Sequence, residues 1–134
     1  MNKLLVVAAI LFSTSALADY SVVVNKRNQT MLVYEDGELI EQWPVSTARK
    51  GYITPSGTFH PYSYQPMHYS KKYDNAPMPH SIFFSGGYAI HATPHVGNLG
   101  RPASHGCVRL SPHNASYLYN IVKNHPGETT ITIR

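Results

Sequence analysis

The 134-residue chain has a single cysteine. No internal disulfide can staple it, so a disulfide-framed miniprotein is excluded. Acidic residues are also few, seven against eleven Lys and Arg. The basic residues are scattered and form none of the dense patches that nucleic-acid binding requires, so no nucleic-acid partner is expected. The mild positive balance suits contact with an anionic cell envelope. Long apolar runs are missing too. The one unbroken run, Leu4 to Phe12, falls short of the roughly 20 residues that span a bilayer, so no membrane span is expected. No internal repeat or low-complexity tract occurs. With 10 Pro and 9 Gly beside ample Val, Ile, Leu and Tyr, the composition is that of a globular protein. The length suits one domain, expected as a monomer.

The start reads as a secretory signal peptide. Met1-Asn2-Lys3 is a short basic opening, Leu4–Phe12 an apolar stretch, and Ala16-Leu17-Ala18 the small-x-small pattern of a cleavage site. The competing reading is a buried N-terminal helix. Cleavage after Ala18 would leave a domain over 19–134 in the periplasm or otherwise outside the cytoplasm. No cysteine stands at the cleavage point to carry a lipid anchor.

Tyr20–Asn25 and Thr30–Tyr34 have strand character, and Asp36-Gly37 turns the chain into a return strand over Leu39–Ser46. Thr54-Pro55-Ser56-Gly57 is a further turn, leading into Thr58-Phe59. His60–His80, with four tyrosines and four prolines, shows no period. It is expected as an irregular loop of the length that functional lids have. Ser81–His91 returns to strand character, broken by Ser85-Gly86-Gly87. A second loop spans Ala92–Ser104, and Gly106–Leu110 is a short strand. Ser111-Pro112 opens a helix over about 112–124, with Ala115, Leu118, Ile121 and Val122 on its buried face. Thr129–Ile133 alternates as a half-buried strand. The expected fold is mostly β, a β-sandwich-like pair of sheets with one main helix and a long lid over about 60–80.

The cysteine lies in Ser104-His105-Gly106-Cys107-Val108-Arg109-Leu110. Strand alternation sends Val108 and Leu110 to the core and sets Cys107 and Arg109 together on the other face. A lone cysteine is commonly just a small buried hydrophobe, but in an exported protein an unpaired thiol is a liability unless used. An ordinary thiol is about 3% thiolate at pH 7, and lowering its pKa to about 7 takes roughly 2 kcal/mol of stabilisation of the anion. A neighbouring imidazole can supply this. His91 and His105 are the candidates. His91 is favoured, because Tyr88–His91 and Gly106–Leu110 could pair as a hairpin, closed by the loop between them, with His91 opposite Cys107.

His91, a spacer over 92–103, and then Ser104-His105-Gly106-Cys107 with an apolar residue and Arg109 resemble the signature of the L,D-transpeptidase catalytic domain (the YkuD-like family). Pro44-Val45-Ser46-Thr47, Thr54-Pro55-Ser56-Gly57-Thr58-Phe59, Phe84–His91 and Leu99–Ala103 resemble it as well, so the likeness covers the domain. Ala48 departs from it, standing where the family often has glycine. The resemblance implies Cys107 as nucleophile and His91 as its base, with a backbone carbonyl after His91 orienting the imidazole. It implies an oxyanion hole from the backbone N–H groups of His105, Gly106 and Cys107, and substrate contacts from Arg109, Ser104 and Tyr88. The substrate would be a peptidoglycan stem peptide, cleaved between the third residue (usually diaminopimelate) and D-Ala. The acyl group would pass to another stem, a lipoprotein lysine or another amine, or water. The segment 60–80 would be the lid. Neither a metal nor an organic cofactor is expected, and carbapenems would acylate Cys107.

Three alternatives stand beside this reading. The same chemistry could serve an L,D-carboxypeptidase or an enzyme that attaches or hydrolyses lipoproteins. The domain could be a non-catalytic wall-binding module. His91, His95, His105 and Cys107 could instead be zinc ligands, although His91 and His95 lie in a Pro/Gly loop and not on a helix.

Overall fold

The computed structural model of the protein describes residues 17–134. The expected leader over 1–18 lies outside the described residues except for Leu17 and Ala18. Among the described residues no helix is long and apolar enough to cross a membrane.

Two sheets and one helix enclose the core, as the alternating strands required. The first sheet has the order β3-β2-β1-β9-β4, formed by β3 (Glu38–Pro44), β2 (Thr30–Glu35), β1 (Tyr20–Asn25), β9 (Thr129–Ile133) and β4 (Gly57–Phe59). The second runs β5-β6-β7-β8, from β5 (Ser63–Ser70), β6 (Ala76–Ser85), β7 (Tyr88–Ala92) and β8 (Val108–Leu110). Asp36 and Gly37 both take positive φ, 49° and 82°, the turn geometry that matches strand twist between β2 and β3. Helix α1 (Pro112–Lys123) starts at Ser111, whose Oγ accepts from the Asn114 N–H at 3.2 Å. Its buried face is Ala115, Leu118, Tyr119 and Val122, with Tyr119 taking the place expected for Ile121. Val22, Val24, Met31 and Val33 from the first sheet meet Ile82, Ile90, Val108 and Leu110 from the second in one cluster. Burying each such side chain contributes about 1.5–3 kcal/mol.

Three expectations need correction. The segment 60–80 is not irregular. It forms a long β-hairpin from β5 and the first half of β6, with Ser70 opposite Ala76 and Tyr64 opposite Ile82. Its prolines are tolerated because β5 is an edge strand and β6 pairs with β7 only from Ile82 onward. Pro66, Pro77 and Pro79 therefore sit where a missing N–H interrupts little of the ladder. At the tip, Asp74 and Asn75 take φ of 52° and 54°, a region these two side chains tolerate.

Secondly, β7 and β8 are parallel and do not form a hairpin: Ile90 pairs with Val108, His91 with Arg109 and Ala92 with Leu110. The loop between them crosses over and includes a short 3₁₀ turn at Val96–Asn98.

Thirdly, the strand expected over Leu39–Ser46 ends at Pro44, and the chain then leaves the first sheet for the second. Ser46 and Arg109 exchange both backbone hydrogen bonds, at 3.1 and 2.9 Å, and the Thr47 carbonyl accepts from Ala103 and Ser104 at 3.0 and 2.9 Å. This crossing segment clamps the cysteine-bearing string from the side opposite β7.

Candidate active site

The approach to Cys107 is built on two buried hydroxyls. Ser104 Oγ accepts the Gly106 N–H at 3.0 Å and donates to the Cys107 carbonyl at 2.6 Å. Thr54 Oγ1 donates to the Gly106 carbonyl at 2.7 Å and accepts the Ala48 N–H at 3.0 Å. Gly106 has φ of 140°, strained for any side chain. A Cβ there would stand 2.5 Å from Tyr88 Cε1 and 2.9 Å from the Ile53 carbonyl. The glycine is thus required by both backbone angle and space.

The parallel register puts His91 and Arg109 side by side, with Cys107 and Ala89 one pleat earlier on the same face. Ile90, Ala92, Val108 and Leu110 point the other way, into the main core. On the outer face Ala89 joins Met78 and Phe83 in a small apolar cluster against which Cys107 packs. His91 is buried, and its Nδ1 bonds to the Ala92 carbonyl at 2.7 Å. A carbonyl only accepts, so Nδ1 carries the proton and Nε2 is left as the basic nitrogen. Burial lowers the His91 pKa to about 4. The Ala92 hydrogen bond opposes this fall, while Arg109 and His68 reinforce it.

Cys107 is partly exposed. Burial raises its thiol pKa, and neither hydrogen bonding with the Ala89 backbone nor the charge of Arg109 offsets this. The expected lowering toward 7 is therefore corrected. The resting pair is thiol and neutral imidazole, because desolvation disfavours both charged forms. Arg109 is half-buried, and its Nη1 donates to the Ala103 carbonyl at 3.3 Å.

Two of the expected roles conflict with the geometry. Ser104 is fully buried and cannot touch a substrate; it positions the backbone of Gly106 and Cys107. The Gly106 N–H, expected to face an oxyanion, is taken by Ser104 Oγ. Tyr88 is half-buried against Gly106. The His105 ring meets Tyr52 at 4.7 Å and stacks on Tyr73 at 4.2 Å. In the sequence Thr54 has a place in a turn and in a family-like segment but no role at the cysteine; its partner Gly106 is 52 positions away, and no local pattern marks such a contact. Among the described residues no three His, Cys, Asp or Glu side chains converge as a metal site, so His91, His95, His105 and Cys107 do not form one.

The family model of the L,D-transpeptidase catalytic domain (YkuD) matches residues 19–133. A YkuD relative from Bacillus licheniformis is 26% identical over 109 residues, which cover 78% of this chain and 61% of the relative. An L,D-transpeptidase structure from Mycobacterium smegmatis superposes with a TM-score of 0.79 at 27% identity, over 87% of this chain and 59% of that one. One from Stackebrandtia nassauensis gives 0.77 at 31% identity, over 89% and 57%. The chain thus spans about three-fifths of the length of these relatives. By its motif, its two-sheet fold and these matches, the chain belongs to the L,D-transpeptidase catalytic-domain family.

Proposed function

We propose that this protein is an exported cysteine L,D-transpeptidase acting on peptidoglycan stem peptides. The observation that carries the proposal is the tautomer of His91. With Nδ1 tied to the Ala92 carbonyl, Nε2 remains to accept a proton on the sheet face that also bears the partly exposed Cys107. As Sγ attacks the carbonyl between the third stem residue and D-Ala, His91 Nε2 takes the thiol proton. Because the thiol and imidazole are both neutral at rest, proton transfer accompanies attack. The tetrahedral oxyanion falls to the amides of His105 and Cys107, since that of Gly106 is engaged; losing one such donor costs about 10²–10³ in rate. The C–N bond then breaks, the imidazolium returns its proton to the departing D-Ala amine, and a thioester remains on Cys107. An incoming amine attacks the thioester, gives its proton to His91 and restores the thiol.

The β5–β6 hairpin is the lid of this reading, and Arg109 lies beside the nucleophile as a partner for substrate carboxylate. Incubation with tetrapeptide stems is expected to release D-Ala and add the acyl mass to Cys107, and a carbapenem to label the same residue. Acceptor amines, lipoprotein lysines and water would then be told apart by the products. Stem binding without an acyl adduct or D-Ala release would overturn the proposal in favour of a wall-binding module.

A further inference from the structure

The tip of the lid hairpin rests on the catalytic string itself. Tyr73, in the turn over 71–75, stacks on the His105 imidazole with centroids 4.2 Å apart and planes at 24°. Tyr52, from the loop between β3 and β4, meets the same ring at 4.7 Å and 52°. Each tyrosine is accompanied by a cation. The Arg49 guanidinium lies 5.1 Å from the Tyr52 ring centre, and Lys72 Nζ lies 5.5 Å from that of Tyr73. Arg109 supplies a third positive charge from β8. Partial burial lowers the His105 pKa, and the nearby charges of Arg49, Arg109 and Lys72 lower it further. Positive charges from three separate segments therefore gather around His105, two residues before the nucleophile. Arg49 and Lys72 are exposed, so both heads are open to a ligand.

We propose that Arg49 and Lys72, brought together around His105 by Tyr52 and Tyr73, form a carboxylate-binding rim for the donor stem peptide, with Tyr73 the positioning residue that holds Lys72 there. This rests on the transpeptidase reading, whose donor carries free carboxylates at the third residue and at the terminal D-Ala. A carboxylate accepts from a guanidinium fork and an ammonium at once. Bound between Arg49 on the body and Lys72 on the hairpin, it also ties the lid down over the thioester-forming carbonyl.

The test measures acylation kinetics with three tetrapeptide donors: the free acid, its C-terminal amide, and the amide of the third residue's side-chain carboxylate. Arg49→Gln and Lys72→Gln are expected to raise KM for the free acid about tenfold each, as loss of a charge-assisted hydrogen bond does, with kcat nearly unchanged. For the amide that lacks the recognised carboxylate they should change nothing. Tyr73→Ala should reproduce the Lys72→Gln effect, and Tyr73→Phe, which keeps the stack, should restore the wild-type KM. An unchanged KM in both charge variants, or equal increases for all three donors, overturns the rim while wild-type acylation upholds the parent reading. A wild-type protein that acylates with no donor sinks both.

Discussion

The imidazole of His91 is oriented by the carbonyl of its own successor, Ala92, at 2.7 Å. A carbonyl fixes the tautomer as a carboxylate would, but it brings no full negative charge to stabilise the imidazolium. Burial therefore dominates and sets the His91 pKa at about 4.

That value predicts an unusual acid limb. His91 must be neutral to accept the thiol proton, so the acylation rate should hold steady through pH 6.5 and fall only as pH drops through about 4. The same shift appears in stability. Unfolded His91 takes up its proton near 6.5 and folded His91 near 4, so the unfolded chain binds more protons in that window. The contribution is fully present above about 6.5 and is lost as pH falls toward 4, by up to about 3 kcal/mol. Urea midpoints at pH 7 and 4.5 check this: His91→Gln should lose distinctly less stability on acidification than the wild type. Equal losses would show that His91 is not the group responsible.

Replacing the nucleophile should separate chemistry from folding. Cys107→Ser is expected to lower acylation by at least about 10³-fold with an unchanged thermal midpoint, because Cys107 is only partly buried. His91→Ala should lower the rate by about 10²–10⁴-fold, whereas His105→Ala should retain most of kcat. If His105→Ala were the inactive variant and His91→Ala the active one, the base would have been misassigned.

Ser104 offers a prediction about support rather than contact. Its hydroxyl is the partner of both the Gly106 N–H and the Cys107 carbonyl. Ser104→Ala leaves both without it, at a cost of about 1–3 kcal/mol. Denaturant unfolding should show that loss, and kcat should fall more than KM rises, since the nucleophile's backbone is displaced and the substrate surface is not. A wild-type kcat at full occupancy would argue that the hydroxyl merely fills space.

The residues that carry their own local signal were legible in the sequence. Val22, Val24 and Val33 alternate, Asp36-Gly37 marks its turn, and Ser111-Pro112 marks the start of α1, so those elements fell where expected. The string from Ser104 to Arg109 and the upstream His91 identified the family for the same reason. What failed depended on distant partners. The direction of β8 relative to β7 depends on how the 93–107 connection crosses over and on the Ser46 and Thr47 contacts with the string, which alternation in either strand does not encode. The hairpin over 63–85 was hidden by prolines that are harmless only because β5 is an edge and β6 is unpaired on one side before Ile82. The pKa values of Cys107 and His91 moved opposite to the need for a thiolate, because burial at this sheet face outweighs Arg109 and the Ala92 carbonyl. Side-chain identities alone do not reveal how much water a site excludes.

Thr54 shows how far from the nucleophile its geometry is held. It is buried, and its hydroxyl joins the Ala48 N–H to the Gly106 carbonyl. Valine has the same shape but neither donor nor acceptor, so Thr54→Val would leave two backbone groups without this partner, at about 1–3 kcal/mol each. The Gly106 carbonyl and the Cys107 N–H belong to one planar peptide unit, so a turn of that carbonyl carries the Cys107 amide with it. The expected result is a drop in kcat with KM for the stem peptide little changed, accompanied by a lower denaturant midpoint. Thr54→Ser, which restores the hydroxyl, should recover kcat. If Thr54→Val lost stability but kept its kcat, the hydroxyl would be holding the fold without holding the reacting atoms.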